Sequence, residues 1–407
     1  MRYLLFFLTP LVYSMDGDPF RAYEVVLIGI LFSILFLRAR MKKIGLFEIV
    51  ALSAYSFFLI LQQFFIPSGN LFFGIKFMIA TIMAFFPFWV LRSSHWHRTD
   101  ILTPVARAID VLCIISVLNF FSSFAFGIGE RSIGGFLGYR AFGFMGDSFT
   151  PVLIFLFLYY FLEKRWVFFT LSLACLLMTG GKTGIIMAGG TVAVYFLFVS
   201  NSAITRFLFL VATLILFVLP VGIEDSIQNV RNFQFSLNNR LLSFQVGWEY
   251  FRENPVFGIG INQGLGSVGN DVQTLARSLG LVEYFPVNQI HNAFLRALAE
   301  TGVIGFGFLA LLAVYWVREG ISAVLCAREL PQCRERNFLA AAGIWTICFV
   351  LGYQTTGWFL HGHPQLAWLL MLSTYASIIT KRVASNKQQN VMVPVQPANT
   401  LGLVLPA

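Results

Sequence analysis

Residues 150–178 read TPVLIFLFLYYFLEKRWVFFTLSLACLLM, with Glu163, Lys164 and Arg165 as the only charges. An apolar run on either side of a charged triplet is the pattern of a helical hairpin whose two arms lie in hydrocarbon. The same pattern extends outward in both directions. Apolar windows of membrane length fall at 3–15, 22–37, 46–66, 70–91, 103–126, 143–162, 165–180, 183–200, 204–223, 302–317, 337–353 and 364–380, about twelve in all. The first is short and follows Arg2, as a signal peptide would, but Tyr13, Ser14, Met15 and Asp16 offer no small-residue cleavage site.

Composition agrees. Of the 407 residues, 57% are hydrophobic and 12% charged, against about 25% charged in a soluble domain, and the mean hydropathy is +0.76. The 46 Phe, 13 Tyr and 8 Trp exceed what one globular core buries. A soluble enzyme, a disordered chain and a disulfide scaffold are excluded. The net charge of +9 does not point to nucleic acid, because the basic residues sit in short clusters between apolar runs. Cys113, Cys175, Cys326, Cys333 and Cys348 have neither disulfide nor zinc spacing. The expected fold is an all-α polytopic membrane protein of about twelve transmembrane helices, with one long outer loop carrying short amphipathic helices.

Most of the 28 Lys and Arg residues fall on the cytoplasmic side if the N-terminus is inside, so both termini are expected in the cytoplasm. The chain then divides into spans one to nine (1–223), an outer hydrophilic segment (224–301), spans ten to twelve (302–382) and a disordered cytoplasmic tail (383–407). Asp110 and Arg107, three apart on one helical face, are expected to pair locally. No internal repeat is evident, which weakens an inverted-repeat transporter.

Chemistry is expected in the outer segment, since a loop this long is usually functional. Ser236 to Asn254 reads as an amphipathic helix opened by Arg240, with Leu241, Phe244, Trp248 and Phe251 on one face. Asn254 and Pro255 stop it, and Gly258, Gly260 and Gly264 follow as a flexible turn. A second helix begins near His291 and Asn292 and runs through Glu300, Thr301 and Gly302 into the tenth span. Its N-terminal N–H groups favour an anion. Gly180 to Gly184 imitates a phosphate loop, but its first required glycine is Leu176, so that reading is rejected. Lys182 in this turn faces a polar cavity or snorkels to the interface. Arg140 precedes the sixth span at the outer mouth. Arg140, Lys182, Arg240 and His291 thus come from four distant segments on one side of the membrane, and gathered cations suit a pyrophosphate. Trp248, Tyr250 and Phe251 line an apolar groove, stack on sugar or anchor the helix on the bilayer.

The signature formed by Arg240, then Trp248-Glu249-Tyr250-Phe251-Arg252-Glu253-Asn254-Pro255-Val256-Phe257-Gly258-Ile259-Gly260, His291-Asn292-Ala293-Phe294-Leu295 and Glu300-Thr301-Gly302-Val303-Ile304-Gly305 resembles the O-antigen ligase and O-antigen polymerase (Wzy-type) superfamily. Motif identity is concentrated in 238–305. The resemblance implies a bacterial inner-membrane glycosyltransferase working on the periplasmic face without metal, nucleotide or other cofactor. Its donor is a glycan on undecaprenyl pyrophosphate. A ligase moves that glycan onto lipid A-core; a polymerase moves it onto a second lipid-linked glycan. The resemblance further implies that His291 assists the acceptor hydroxyl while Arg240, Lys182 and Arg140 engage the pyrophosphate; Trp248 and Asn292, from the residues themselves, are expected to line the acceptor site or groove. One departure is Lys182, where the family's turn usually carries Arg; a lysine keeps the charge but not the planar fork. Ligase is the favoured reading and polymerase the alternative. A lipid-linked glycan transporter or a non-catalytic scaffold are the readings of other classes.

Overall fold

A computed structural model of the chain describes residues 46–66, 102–125, 129–130, 140–141, 150–178, 182–199, 241–260, 292–352 and 364–392, with 271, 273–275, 277–278 and 290. The sequence windows at 3–15, 22–37, 70–91 and 204–223 lie outside the described residues. Within them the fold is all-α: α1 Leu46–Phe65, α2 Leu102–Ala125, α3 Thr150–Glu163, α4 Trp166–Met178, α5 Lys182–Phe198, α6 over 241–253, α7 Ala293–Glu329, α8 Arg334–Gly352 and α9 Pro364–Met392. The one addition is a minimal antiparallel ladder, β1 Gly129–Glu130 with β2 Arg140–Ala141, pairing Glu130 with Arg140. Where sequence windows and described helices overlap they agree, with one difference: α9 continues through Met392, well into the segment expected to be a tail.

Among the described residues, α7 is long and apolar enough to cross a membrane; α3, α4 and Met187–Phe198 of α5 are shorter apolar helices. The outward faces are apolar too. Val111, Ile114, Leu118 and Phe121 form an exposed stripe on α2, and Leu311, Val314, Ile321 and Leu325 another on α7. A water-facing helix carries polar residues there, and lipid reverses that preference.

The α3–α4 hairpin turns as its charged triplet demands. Lys164 takes a left-handed φ of 56°, its N–H bonds Phe161 O at 3.2 Å and the Arg165 N–H bonds Tyr160 O at 3.1 Å, which closes the helix end in a Schellman motif. Asp110 does not pair with Arg107 as the local spacing suggests. Its carboxylate accepts from Arg165 at 2.6 Å and from the Tyr160 hydroxyl at 3.0 Å, a tertiary tie that joins α2 to the hairpin. Burial works to lower the Arg165 pKa, but the hydrogen bond and charge of Asp110 outweigh it and hold the guanidinium above its ordinary value. Glu163 accepts from Asn337 at 2.8 Å and faces Arg334 at 3.7 Å. These groups make one charged end of the bundle.

Helices α7 and α8 form an antiparallel pair that crosses closely at two glycines: a Cβ on Gly343 would lie 2.7 Å from Gly320 O, and one on Gly320 2.9 Å from Gly343 O. At the opposite end from the charged turn, Trp345 Nε1 donates to Pro151 O at 2.6 Å, and a Cβ on Gly184 would meet Thr150 Cγ2 at 2.6 Å. The starts of α3 and α5 and the finish of α8 therefore gather at this second end, as does the start of α7.

Candidate functional site

Helix α6 follows directly on Arg240. Its buried seam is Leu242, Ser243 and Val246, and Gly247 lets Ile290 approach to where a Cβ would be 3.0 Å from Ile290 Cδ1. The face singled out in the sequence, Leu241, Phe244, Trp248 and Phe251, is thus the outward one: Leu241 and Trp248 are half-exposed and the Trp248 and Phe251 rings lie 5.3 Å apart. The inward contact is made by Leu242 and Val246 with Ile290 and Ala299, beside the small Gly247.

Asn292 caps α7. It has extended φ and ψ of −143° and 118°, and its side chain accepts from Leu295 N at 2.9 Å, satisfying one of the N–H groups that a helix start leaves open. One turn in, Arg296 and Glu300 form a buried ion pair at 2.8 Å, with side chains 4% and 2% exposed. The R-x-x-x-E spacing was present in the sequence as an i,i+4 pair, but its burial depends on what covers it.

Residues 254–260 dock on the backbone just after this pair. The sequence reads a continuous helix through Gly302; the structure breaks it there, with φ 62° and ψ −169°. In an unbroken helix the Val303 N–H would bond Ala299 O. Instead Val303 N bonds Pro255 O at 2.8 Å, and the freed carbonyls are taken by Ile259 N on Ala299 O at 2.9 Å and Gly260 N on Glu300 O at 3.0 Å. Every group released by the break named here finds a partner in the loop, as a backbone away from water requires. The expected flexible turn is therefore a docked one. Gly258 and Gly260, at φ 70° and 102°, supply the left-handed geometry, and a Cβ on Gly258 would meet Thr301 N at 2.5 Å. Gln62 of α1 completes the clasp: it is fully buried, and its amide N–H₂ donates to Phe257 O and, at 2.6 Å, to Glu300 O. Phe65 of the same helix stacks on Phe257 with centroids 4.7 Å apart.

The clasp thus binds α6, the helix that Asn292 caps, and α1 into one unit. Lys182 is the first residue of α5, and Arg140 lies in β2 opposite Glu130. Arg240 and His291 lie outside the described residues.

Residues 166–310 match the Wzy_C family model, O-Antigen ligase. The match supports the O-antigen ligase and polymerase superfamily that the motifs resemble, and with it ligase- or polymerase-type glycosyltransferase activity on lipid-linked glycans by a membrane protein of lipopolysaccharide biosynthesis. The Wzy_C segment runs from the start of α4 past the Gly302 break, and contains Lys182, Arg240, Trp248, His291 and Asn292. No curated protein matches the chain.

Proposed function

We propose that the chain is a periplasmic-face glycosyltransferase that moves a glycan from undecaprenyl pyrophosphate onto lipid A-core, as an O-antigen ligase does. The observation that carries the reading is the clasp within the Wzy_C segment: it fixes the helix after Arg240 against the helix after His291, two stretches separated by about fifty residues. In this reading the chain spans the inner membrane about twelve times, with both termini cytoplasmic. Spans fill 1–223 and 302–382, and 224–301 form the periplasmic segment. The alternation of described helix ends is compatible with this, since the charged end is the one that loop charge assigns to the cytoplasm.

The chemistry is a single displacement. The acceptor hydroxyl oxygen bonds the anomeric carbon as the bond from that carbon to undecaprenyl pyrophosphate breaks. The acceptor proton passes to His291, a group whose ordinary pKa near neutrality suits a general base. The electron pair leaves with the pyrophosphate, where Arg240, Lys182 and Arg140 meet the charge as it develops. Cations in these places do the work a metal does elsewhere, so no cofactor enters the mechanism. Trp248 and Asn292 border the acceptor groove, Asn292 also holding the helix start.

The test is a deletion strain complemented with wild-type, His291→Ala or Arg240→Ala protein, compared at equal expression by lipopolysaccharide gel and by analysis of undecaprenyl-linked glycans. Loss of capped lipopolysaccharide with long glycan accumulating on the lipid carrier supports the ligase. Single repeat units on the core with no long lipid-linked glycan identify the polymerase instead. Full activity in both variants removes the assignment.

A further inference from the structure

The clasp also forms one wall of a cleft of about 530 Å³, lined by Phe65, Glu253, Asn254 and Phe257 among others. That volume lies in the range of small-molecule sites. We propose that this cleft is a saccharide subsite, which holds sugar residues of the acceptor beyond the one that reacts; the proposal rests on the glycosyltransferase reading above.

Three features point to sugar. First, the Phe65 ring is 62% exposed yet held at a fixed angle, its plane within 12° of the Phe257 ring beneath it. A flat apolar platform of this kind matches the C–H face of a pyranose. Second, Glu253 and Asn254 border the same cleft as exposed residues. A carboxylate accepts and an amide both accepts and donates, which is what the hydroxyl edge of a sugar requires. A prenyl or acyl chain in this cleft would instead lie against the carboxylate and strip it of water without returning a hydrogen bond. Third, the position fits. Ile259 bonds Ala299, seven residues after Asn292, so the cleft wall lies roughly 10 Å along the helix axis from the start of α7 at 1.5 Å per residue. Two sugar residues bridge such a distance, so an acceptor whose hydroxyl lies at the helix start has its neighbours over the cleft. The wall does not have to be assembled on binding, because Gln62, Gly258 and Gly302 already hold it.

The saccharide has two sources, lipid A-core or the glycan of a second lipid carrier, and the assay distinguishes them. Full-length purified protein in nanodiscs is titrated by saturation-transfer NMR with three probes: delipidated core oligosaccharide, delipidated repeat-unit oligosaccharide and undecaprenyl phosphate. Glu253→Gln changes an exposed side chain, and Phe65→Ala gives up the stack on Phe257 but none of the hydrogen bonds that dock the loop, so both proteins are expected to fold. The expected result is that one oligosaccharide binds wild type, that Phe65→Ala weakens it about tenfold and Glu253→Gln severalfold, and that undecaprenyl phosphate is unaffected. Binding of the core probe assigns the lipopolysaccharide acceptor, and binding of the repeat-unit probe assigns the lipid-linked one; either supports the subsite. In transfer assays the same variants raise acceptor KM and leave kcat within about twofold. The subsite is overturned if neither oligosaccharide binds wild type, if both variants bind as wild type does, or if Phe65→Ala weakens undecaprenyl phosphate instead. His291→Ala should keep oligosaccharide binding while losing transfer; transfer retained in His291→Ala counts against the catalytic reading alone.

Discussion

Replacing Gly302 by alanine tests the clasp at its tightest point. Gly302 sits at φ 62° and ψ −169°, a region that residues with a side chain occupy at a cost of about 1–3 kcal/mol. The added Cβ would also overlap the Val256 carbonyl and lie 2.7 Å from Phe257 N. Those atoms are backbone, and they are held by the Val303–Pro255, Ile259–Ala299 and Gly260–Glu300 bonds, so no side chain can swing aside. The chain has a cheaper escape than staying strained. Alanine favours helix, so α7 can run straight through position 302 and re-form its own bonds while 254–260 leaves. That route forfeits three docking hydrogen bonds, the Gln62 contacts and the Phe65–Phe257 stack. Five hydrogen bonds are lost and two re-form within α7, so at about 0.5–1.5 kcal/mol net per hydrogen bond the loss is about 1.5–4.5 kcal/mol and is confined to this region. Gly307→Ala is the control, because nothing lies within 4 Å of its Cβ and alanine gains up to about 1 kcal/mol inside a helix. The assay is limited proteolysis and thermal unfolding of purified protein, with transfer read in cells. Gly302→Ala should expose 254–260 to protease, lower the melting midpoint and lose transfer; Gly307→Ala should do none of these. If Gly302→Ala resists protease and transfers as wild type does, the break is not what holds the loop.

Two further substitutions probe the same region. Gln62→Leu removes the donor to Phe257 O and Glu300 O and should cost about 1–3 kcal/mol, with Gln62→Glu at least as damaging because a carboxylate cannot donate to two carbonyls; comparison of melting midpoints checks both. Arg296→Met removes the guanidinium from a buried carboxylate and should cost about 3–5 kcal/mol, whereas Arg296→Met combined with Glu300→Gln should recover part of it; a double-mutant cycle by thermal unfolding measures the recovery, and its absence would mean the pair is not coupled.

Reading the sequence located helices α1, α2, α4, α5 and α8 because an apolar window and a helix in lipid have the same length requirement. It also located the N-terminal start of α7 near His291 and the stop of α6 at Asn254. The failures share a cause. Local spacing pairs Asp110 with Arg107, yet Arg165, distant in sequence, takes the carboxylate. Apolar periodicity on α6 marked the outward face, and gave no sign of the contact that forms on the other side, where Gly247 leaves room for Ile290. Gly302 lies within an apolar run and reads as an ordinary helix residue, because a positive φ leaves no mark on hydropathy. Its one trace is the presence of Gly258 and Gly260 some forty residues earlier, and only a fold that brings them together gives that trace meaning. The cations had the opposite fate: charge is conspicuous in an apolar chain, so Lys182 and Arg140 drew notice while the Arg296–Glu300 pair, equally visible by spacing, did not.

A helix break next to a membrane is costly unless its backbone groups are taken up, and here the loop that takes them up is the continuation of α6. The consequence is mechanical. The first nine residues of α7 do not take their direction from the span below Gly302 but from α6 through the loop and from α1 through Gln62. Whatever is attached to the start of α7 is thereby referenced to the end of α6 and to α1. The same loop is bonded on both sides of the break, to Val303 on the span and to Ala299 and Glu300 before it, so a change at Gln62, Gly258 or Gly302 would reach the helix start without touching it. In the proposed function an acceptor must be aligned with a carrier embedded in a fluid membrane, and the clasp fixes the start of α7 for that with backbone hydrogen bonds, three left-handed glycines and one buried amide.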